Sequence, residues 1–587
     1  MKETEPSKKL AIIGGGPAAM FLYKTLVDLG LTTYSVHIFE AGQRLGAGMP
    51  YSDRGALPEH ITNISGNEIP ALETSVVEWL ESVPESTLAP FKIDRDHFTA
   101  YKVLPRLLFG QYLEDQFEAI LKKGKKLGIN TVVHKGCRVA DIIDQPMQDT
   151  LRLSISPDEW MEVDEVVICT GHAWPKKNEG KLPGYYDSPY PPAKLRQRFN
   201  HPIAIKGSSL TAIDALRTLA RAHGKFEKTG DGQLRYLPDA TAKEFTLVMY
   251  SINGLLPGIR FHLEDPRLVE DGMLTDEEIN AHMARNNGFL SLDYIFDKDF
   301  KALLRKKDPA FYAHVKDMTI EQFTQELMGM RERMDPFLLF QLEYEEARQS
   351  IRKKESVHWK ELLAGLSFAM NYPAKHLSAE DMLRLTKVLM PLISIVIAFV
   401  PQSSCEELIA LHNAGRLKII PVTPESGLEV NDKGEKLYKY IDEDGQEQQQ
   451  KYETYIDCTG QPRLSVDQFP FKGLLNAAAV QQATLPFRSA KEAKQVMQNG
   501  GQVVEQGADK KYYLQVPGIA ITDSFRVVSE YDKSNPRIHI MAVPFIGGYN
   551  PDYSGLDFCE EAAKRVVEDL LQHKGEQQAA TSVENKA

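Results

Sequence analysis

The chain has 587 residues, 42% of them hydrophobic and 26% charged, with a formal net charge of −12. That length exceeds one simple core and points to two or three domains, and the composition excludes a disordered or fibrous chain. The acidic balance argues against a nucleic-acid partner, and five scattered cysteines without a CxxC pair argue against a disulfide framework, a zinc site or a redox dithiol.

Met1 to Lys9 is polar and carries no signal-peptide pattern, so a cytoplasmic location is expected. Leu10 to Ile13 reads as a short buried strand. It runs into Gly14-Gly15-Gly16-Pro17-Ala18-Ala19. Gly14 permits a tight turn, Gly16 lets a pyrophosphate approach the backbone, and Ala19 keeps the next helix close to the sheet. That helix, from Pro17 and Ala18 to about Leu29, offers free N–H groups and a partial positive charge at its start. A second strand, Ser35 to Phe39, ends on Glu40, an acid suited to the hydroxyls of an adenosine ribose. Strand, glycine turn, helix and acid together predict dinucleotide binding.

The loop Ala41 to Ser52 is rich in glycine, Gly48 among them, and carries Arg44, which would neutralise a phosphate lying beneath it. In His60 to Asn63, Asn63 is a candidate to face a cofactor ring, while His60 reads as a hydrogen-bonded structural histidine. Phe98 to Lys126 has helical spacing, with Pro105 marking its true start. Strands are predicted at 130–133, 138–143, 150–155 and 165–169, the last running into Thr170-Gly171-His172. The Pro- and Tyr-rich stretch Tyr185 to Lys194 suits a domain crossing.

Pro202 to Asp214 repeats the strand–turn–helix logic in reduced form. Gly207 remains, and Ser208, Ser209 and Ala212 replace the other small residues. Ser208, Ser209 and Thr211 have hydroxyls that can donate to a pyrophosphate, so a nicotinamide nucleotide is expected here. The next strand, Phe245 to Tyr250, ends without a basic residue; Arg260 is the nearest, and the choice between NADPH and NADH stays open. From Pro266 to about Val400 the spacing is helical, and the charge runs Arg305 to Lys307 and Glu343 to Glu346 read as solvated faces. The apolar run Val388 to Val400 is too short to span a bilayer. Tyr455 to Cys458 is a second strand leading into Thr459-Gly460. Near the end, Ser554-Gly555-Leu556 opens a helix to about Leu571, and 574–587 lacks apolar periodicity and reads as a disordered tail.

These segments predict an α/β chain with two Rossmann-like dinucleotide-binding domains, the second inserted in the first. The expected division is 1–195 and 402–573 for an FAD-binding domain, 196–265 for an NAD(P)-binding-like domain, and 266–401 for a helical insertion.

The chain resembles bacterial FAD/NAD(P)-binding proteins related to the class B flavin monooxygenases, the group that includes ornithine and lysine N-hydroxylases. The resemblance rests on Ile13 to Ala19, Gly46 to Ser52, His60 to Asn63, Cys169 to His172, Gly207 to Asp214, Gly254 to Pro257, Thr459-Gly460 and Ser554-Gly555-Leu556. It implies FAD and NAD(P)H as cofactors. It also implies a monooxygenase that hydroxylates a small molecule with O2 through a flavin C4a-hydroperoxide; one branch is linked to urate hydroxylation. In that setting the helix beginning at Leu556 would favour negative charge at the pyrimidine edge of the flavin. A reductase that inserts no oxygen and a non-catalytic flavin sensor are the alternatives. No nucleic-acid or membrane partner is expected.

Overall fold

The computed structural model describes residues 8–230, 232–264, 273–431, 434–442, 444–552 and 555–584, with side chains to 573. The first layer comprises β1 (Lys8–Ile13), α1 (Pro17–Asp28), β2 (Tyr34–Glu40), α2 (Arg106–Lys126), β3 (Asn130–Lys135) and β4 (Glu165–Ile168). A second series follows: β5 (Tyr185–Tyr186), β6 (Pro202–Lys206), α3 (Leu210–His223) and β7 (Thr246–Ile252). Helices occupy most of the next stretch, among them α4 (Ile320–Glu332) and α5 (Pro336–Lys353). The chain ends with β8 (Leu417–Val422), β9 (Thr454–Asp457), β10 (Arg526–Val528), β11 (Ser534–Ile540) and α6 (Leu556–Glu584).

Two sheets result. The first has the order β10-β11-β4-β1-β2-β3 and the second β5-β9-β6-β7-β8. The second sheet is parallel throughout, and in the first only the β10–β11 pair is antiparallel. Leu10, Ala11 and Ile12 of β1 have no exposed surface, as a strand covered on both faces requires. α6 packs along α1, so the two ends of the chain build one layer.

Three expectations are corrected here. The return to the first domain does not fall at about 402. β8 pairs with β7 and β9 with β6, in registers such as Leu247↔Leu417 and Ile203↔Thr454, so the second sheet keeps the chain through Asp457. Thr459-Gly460 therefore ends a strand of the second sheet, not of the first. The tail is not structureless throughout: α6 continues to Glu584, through Glu576, Gln577, Gln578, Ala579 and Ala580, which favour helix without an apolar face. Residues 585–587 lie outside the described residues. Glu343 is not part of a solvated face. It is buried, accepting from Arg331 Nη1 at 2.7 Å and Lys360 Nζ at 3.1 Å.

The helical insertion is closed at its neck. Gly258 donates to the Ile395 carbonyl at 2.7 Å, Arg260 N–H donates to the Val400 carbonyl at 2.9 Å, and Val400 N–H donates to the Gly258 carbonyl at 2.9 Å. The helices share a core with Ala483, Leu485, Leu514 and Val516 of a small three-stranded sheet. They also reach the first domain. Tyr372 stacks on Phe558 of α6 at 6.2 Å between centroids, and Asp552 N–H donates to Asn371 Oδ1 at 2.8 Å. Among the described residues no helix is long and apolar enough to cross a membrane.

Candidate functional site

The turn after β1 has almost no spare room. Gly14 adopts φ +107°, and a Cβ there would stand 2.5 Å from the Cys169 carbonyl oxygen. A Cβ on Gly15 would stand 2.4 Å from Leu45 Cδ2. Gly16 differs. It caps α1 at φ −84°, and the nearest atom to a Cβ there is Gly48 Cα at 3.5 Å, an ordinary contact. The protein therefore leaves open the place where a pyrophosphate would approach, directly at a helix start with Pro17 and Ala18 and no side-chain cap. The first cradle fits a dinucleotide.

Glu40 holds this cradle together as well as facing it. Its Oε2 accepts the Gly15 N–H at 2.8 Å and its Oε1 the Gly42 N–H at 2.6 Å. Arg44 is half exposed and its Nη1 lies 3.3 Å from Glu114 Oε1 on α2, so the cation expected over a phosphate is paired with protein here. Gly48 stands against Pro17, and Gly171 faces open space.

The second cradle repeats the first in backbone. Gly207 has φ +102°, close to Gly14, and a Cβ there would stand 2.8 Å from the Cys458 carbonyl oxygen. Gly207 N–H donates to Tyr250 as Gly14 N–H does to Phe39, at 2.9 and 2.8 Å. Ser209 caps α3 at φ −86°, ψ −166°; Gly16 caps α1 at φ −84°, ψ −165°. Ser209 thus carries its side chain where Gly16 has none, and it is exposed. The expectation for Ser208 is corrected: its hydroxyl is 2.7 Å from Ser251 Oγ and 2.8 Å from the Leu255 carbonyl, engaged with protein and not offered to a phosphate. Arg260 is also elsewhere. Its guanidinium is buried and bonded to the Asn63 carbonyl, Ser65 Oγ and Glu68, which ties the neck of the insertion to the first domain.

The two Thr-Gly exits meet. Gln461 Oε1 accepts from Ala173 N–H at 3.0 Å, its Nε2 donates to the Ala173 carbonyl at 2.7 Å, and Trp174 Nε1 donates to the Gly460 carbonyl at 2.9 Å. Thr170-Gly171 and Thr459-Gly460 are thereby held side by side. Thr459 Oγ1 donates to Asp457 at 2.7 Å, and Thr211 Oγ1 lies 4.0 Å from a Cβ position on Gly460.

Beside these exits lies a group of half-buried side chains that sequence patterning did not bring together. Tyr51, Arg106, His172, Tyr190 and Cys559 lie deep in the molecule, yet none is fully covered. Burial pushes the Tyr51 phenol and the Cys559 thiol up to about 12, so both keep their protons. Arg106 is paired with Asp214 of α3, and Tyr190 donates to the same carboxylate at 3.2 Å. His60 stands behind them, fully buried. Its Nδ1 accepts the Leu57 N–H at 3.2 Å and its Nε2 lies 3.0 Å from Thr218 Oγ1. These contacts place His60 as a structural residue between the sheets.

Ser554 lies outside the described residues. Gly555 has φ +117° and Leu556 is buried at the start of α6. The next residue, Asp557, was not singled out from the sequence. It keeps exposed surface at the start of α6, while desolvation by the protein packed around its carboxyl, with Asp552 and Glu68 nearby, pushes that group up to about 6.

Residues 11–173 match the FAD-NAD(P)-binding family, and residues 275–397 match the YdhS-like middle domain. The chain carries an FAD-NAD(P)-binding domain. It is 25% identical over 566 residues to the uncharacterized protein YdhS of Escherichia coli strain K12, covering 95% of this chain and 97% of that one. Solved structures similar to it include the ornithine hydroxylase PvdA of Pseudomonas aeruginosa, at 12% identity and a TM-score of 0.46, covering 96% of this chain and 99% of that one. Another is DfoA bound to FAD, the cadaverine monooxygenase of Erwinia amylovora, at 10% identity and a TM-score of 0.41, covering 97% and 95% of the two chains.

Proposed function

We propose that this flavoprotein is an NAD(P)H-dependent monooxygenase acting on a small molecule. The observation that carries the reading is the pair of cradles with matching backbone, whose Thr-Gly exits are held side by side. FAD in the first cradle would supply hydride acceptance and oxygen activation. The chain's own part is to bind, orient and exclude water. The uncapped start of α1 would present its N–H groups to the FAD pyrophosphate. Arg106 and Tyr190, fixed by Asp214, form a rigid polar wall. The insertion packs against the start of α6 through Tyr372 on Phe558 and Asn371 on Asp552. Asp557 Oδ1 accepts the Phe558 N–H at 2.9 Å, so a proton held by this carboxyl resides on Oδ2. With its value raised to about 6, that proton exchanges near neutral pH.

The test is anaerobic stopped-flow reduction with each nucleotide, followed by mixing with O2 in the presence of a metabolite library. The flavin should bleach with at least one nucleotide and recover on oxygenation. One library compound should gain an oxygen atom while lowering the yield of hydrogen peroxide. Bleaching by neither nucleotide would overturn the reading. Bleaching with peroxide as the sole oxygen product across the library would favour a reductase.

A further inference from the structure

We propose that Glu332, delivered by the insertion, reads the adenosine ribose of the second nucleotide and selects NADH over NADPH. The inference rests on the nucleotide-dependent reading above and narrows it. In the first cradle the strand ends on Glu40, the usual place for an acid that binds a ribose diol. The matching register in the second cradle, Lys206↔Tyr250 against Ile13↔Phe39, puts Ser251 in that place. Ser251 has no charge and a short reach, and its hydroxyl is used on Ser208 and the Leu255 carbonyl at 2.7 and 2.8 Å. The strand end by itself therefore reads nothing.

An acid arrives from elsewhere. Asn253, two residues beyond Ser251 and matching Gly42, takes the left-handed conformation at φ +56°. Its Nδ2 donates to Glu332 Oε1 at 2.6 Å. Glu332 is the last residue of α4 and is exposed, so its second carboxylate oxygen stays available. A carboxylate at this position accepts the two hydroxyls of an unmodified ribose and repels a 2′-phosphate. Two arginines that could favour the phosphate point elsewhere. Arg260 is buried against Asn63, Ser65 and Glu68. Arg333 turns back along its helix, with Nη1 3.5 Å from a Cβ position on Gly329.

Calorimetric titration of the FAD-loaded full chain with ADP-ribose and with 2′-phospho-ADP-ribose tests this without turnover. ADP-ribose should bind about tenfold tighter, the scale of one charge-assisted contact. Glu332→Gln keeps the shape and the Asn253 contact and removes the charge, so the two affinities should converge. Tighter binding of the 2′-phospho form by the native chain, or an unchanged ratio in the variant, would overturn the role of Glu332. In either case, flavin bleaching by NADPH would leave the monooxygenase reading standing. Failure of both fragments to bind, with no bleaching by either nucleotide, would overturn both.

Discussion

Gly16→Val should give a folded protein that no longer retains flavin. The turn itself tolerates the change: Gly16 has an ordinary φ of −84°, and its Cβ position is 3.5 Å from the nearest protein atom. What the side chain meets is the pyrophosphate. Displacing it forfeits at least two charge-assisted bonds to the start of α1, about 1.5–3 kcal/mol each, so FAD affinity should fall at least about a hundredfold. Gly14→Val is the contrasting variant. There the positive φ and the 2.5 Å approach of the Cys169 carbonyl make any side chain incompatible with the β1–β4 contact, and the loss should be of folding. Flavin absorbance after gel filtration, with circular dichroism of the apo forms, separates the two. A Gly16→Val protein that is native-like and yellow would show that FAD does not lie on this turn.

The first cradle was legible because its determinants are local. A four-residue apolar strand, three glycines and an acid all fall within Leu10 to Glu40, and each has one geometric job. The second cradle was legible in part, since Gly207 keeps the turn while Ser208 and Ser209 hide which hydroxyl faces outward. Ser208 looked available because its competitor, the Leu255 carbonyl, is 47 residues away. The same difficulty hid Glu332, which meets Asn253 across 79 residues, and misplaced Arg260, whose partners lie nearly 200 residues back. Tyr455 to Cys458 is apolar enough for either sheet, and its pairing with β6 rather than β4 is settled by a partner some 250 residues earlier. Local pattern reports which residues turn, cap and bury. It does not report which distant side chain arrives to use a free oxygen.

Asp214→Asn should loosen the contact between the two nucleotide domains and destabilise the protein strongly. Asp214 is buried in α3, where it takes Arg106 from the first domain and the Tyr190 hydroxyl. Removing its charge leaves the Arg106 guanidinium enclosed without an anion, which costs about 3–5 kcal/mol. The fall in Tm should be roughly 5–10 °C. A double variant, Arg106→Met with Asp214→Leu, removes both charges and should recover most of that loss; no recovery would mean that the pair is not the source. The same contact adds a pH dependence through His60. Its burial lowers its affinity for a proton, so the unfolded chain, at an ordinary value of about 6.5, protonates first as pH falls. The unfolded state then binds more protons, and stability drops with decreasing pH from about 6.5 toward the lower folded value, while remaining complete above it. His37, His134, His172 and His223 are shifted the same way by burial and add to the slope. Thermal unfolding of the holoprotein between pH 7.5 and 5 should show Tm falling on acidification. His60→Gln, which keeps an acceptor for Leu57 N–H and a donor for Thr218, should flatten that fall; a slope identical to the native protein would remove His60 from the account.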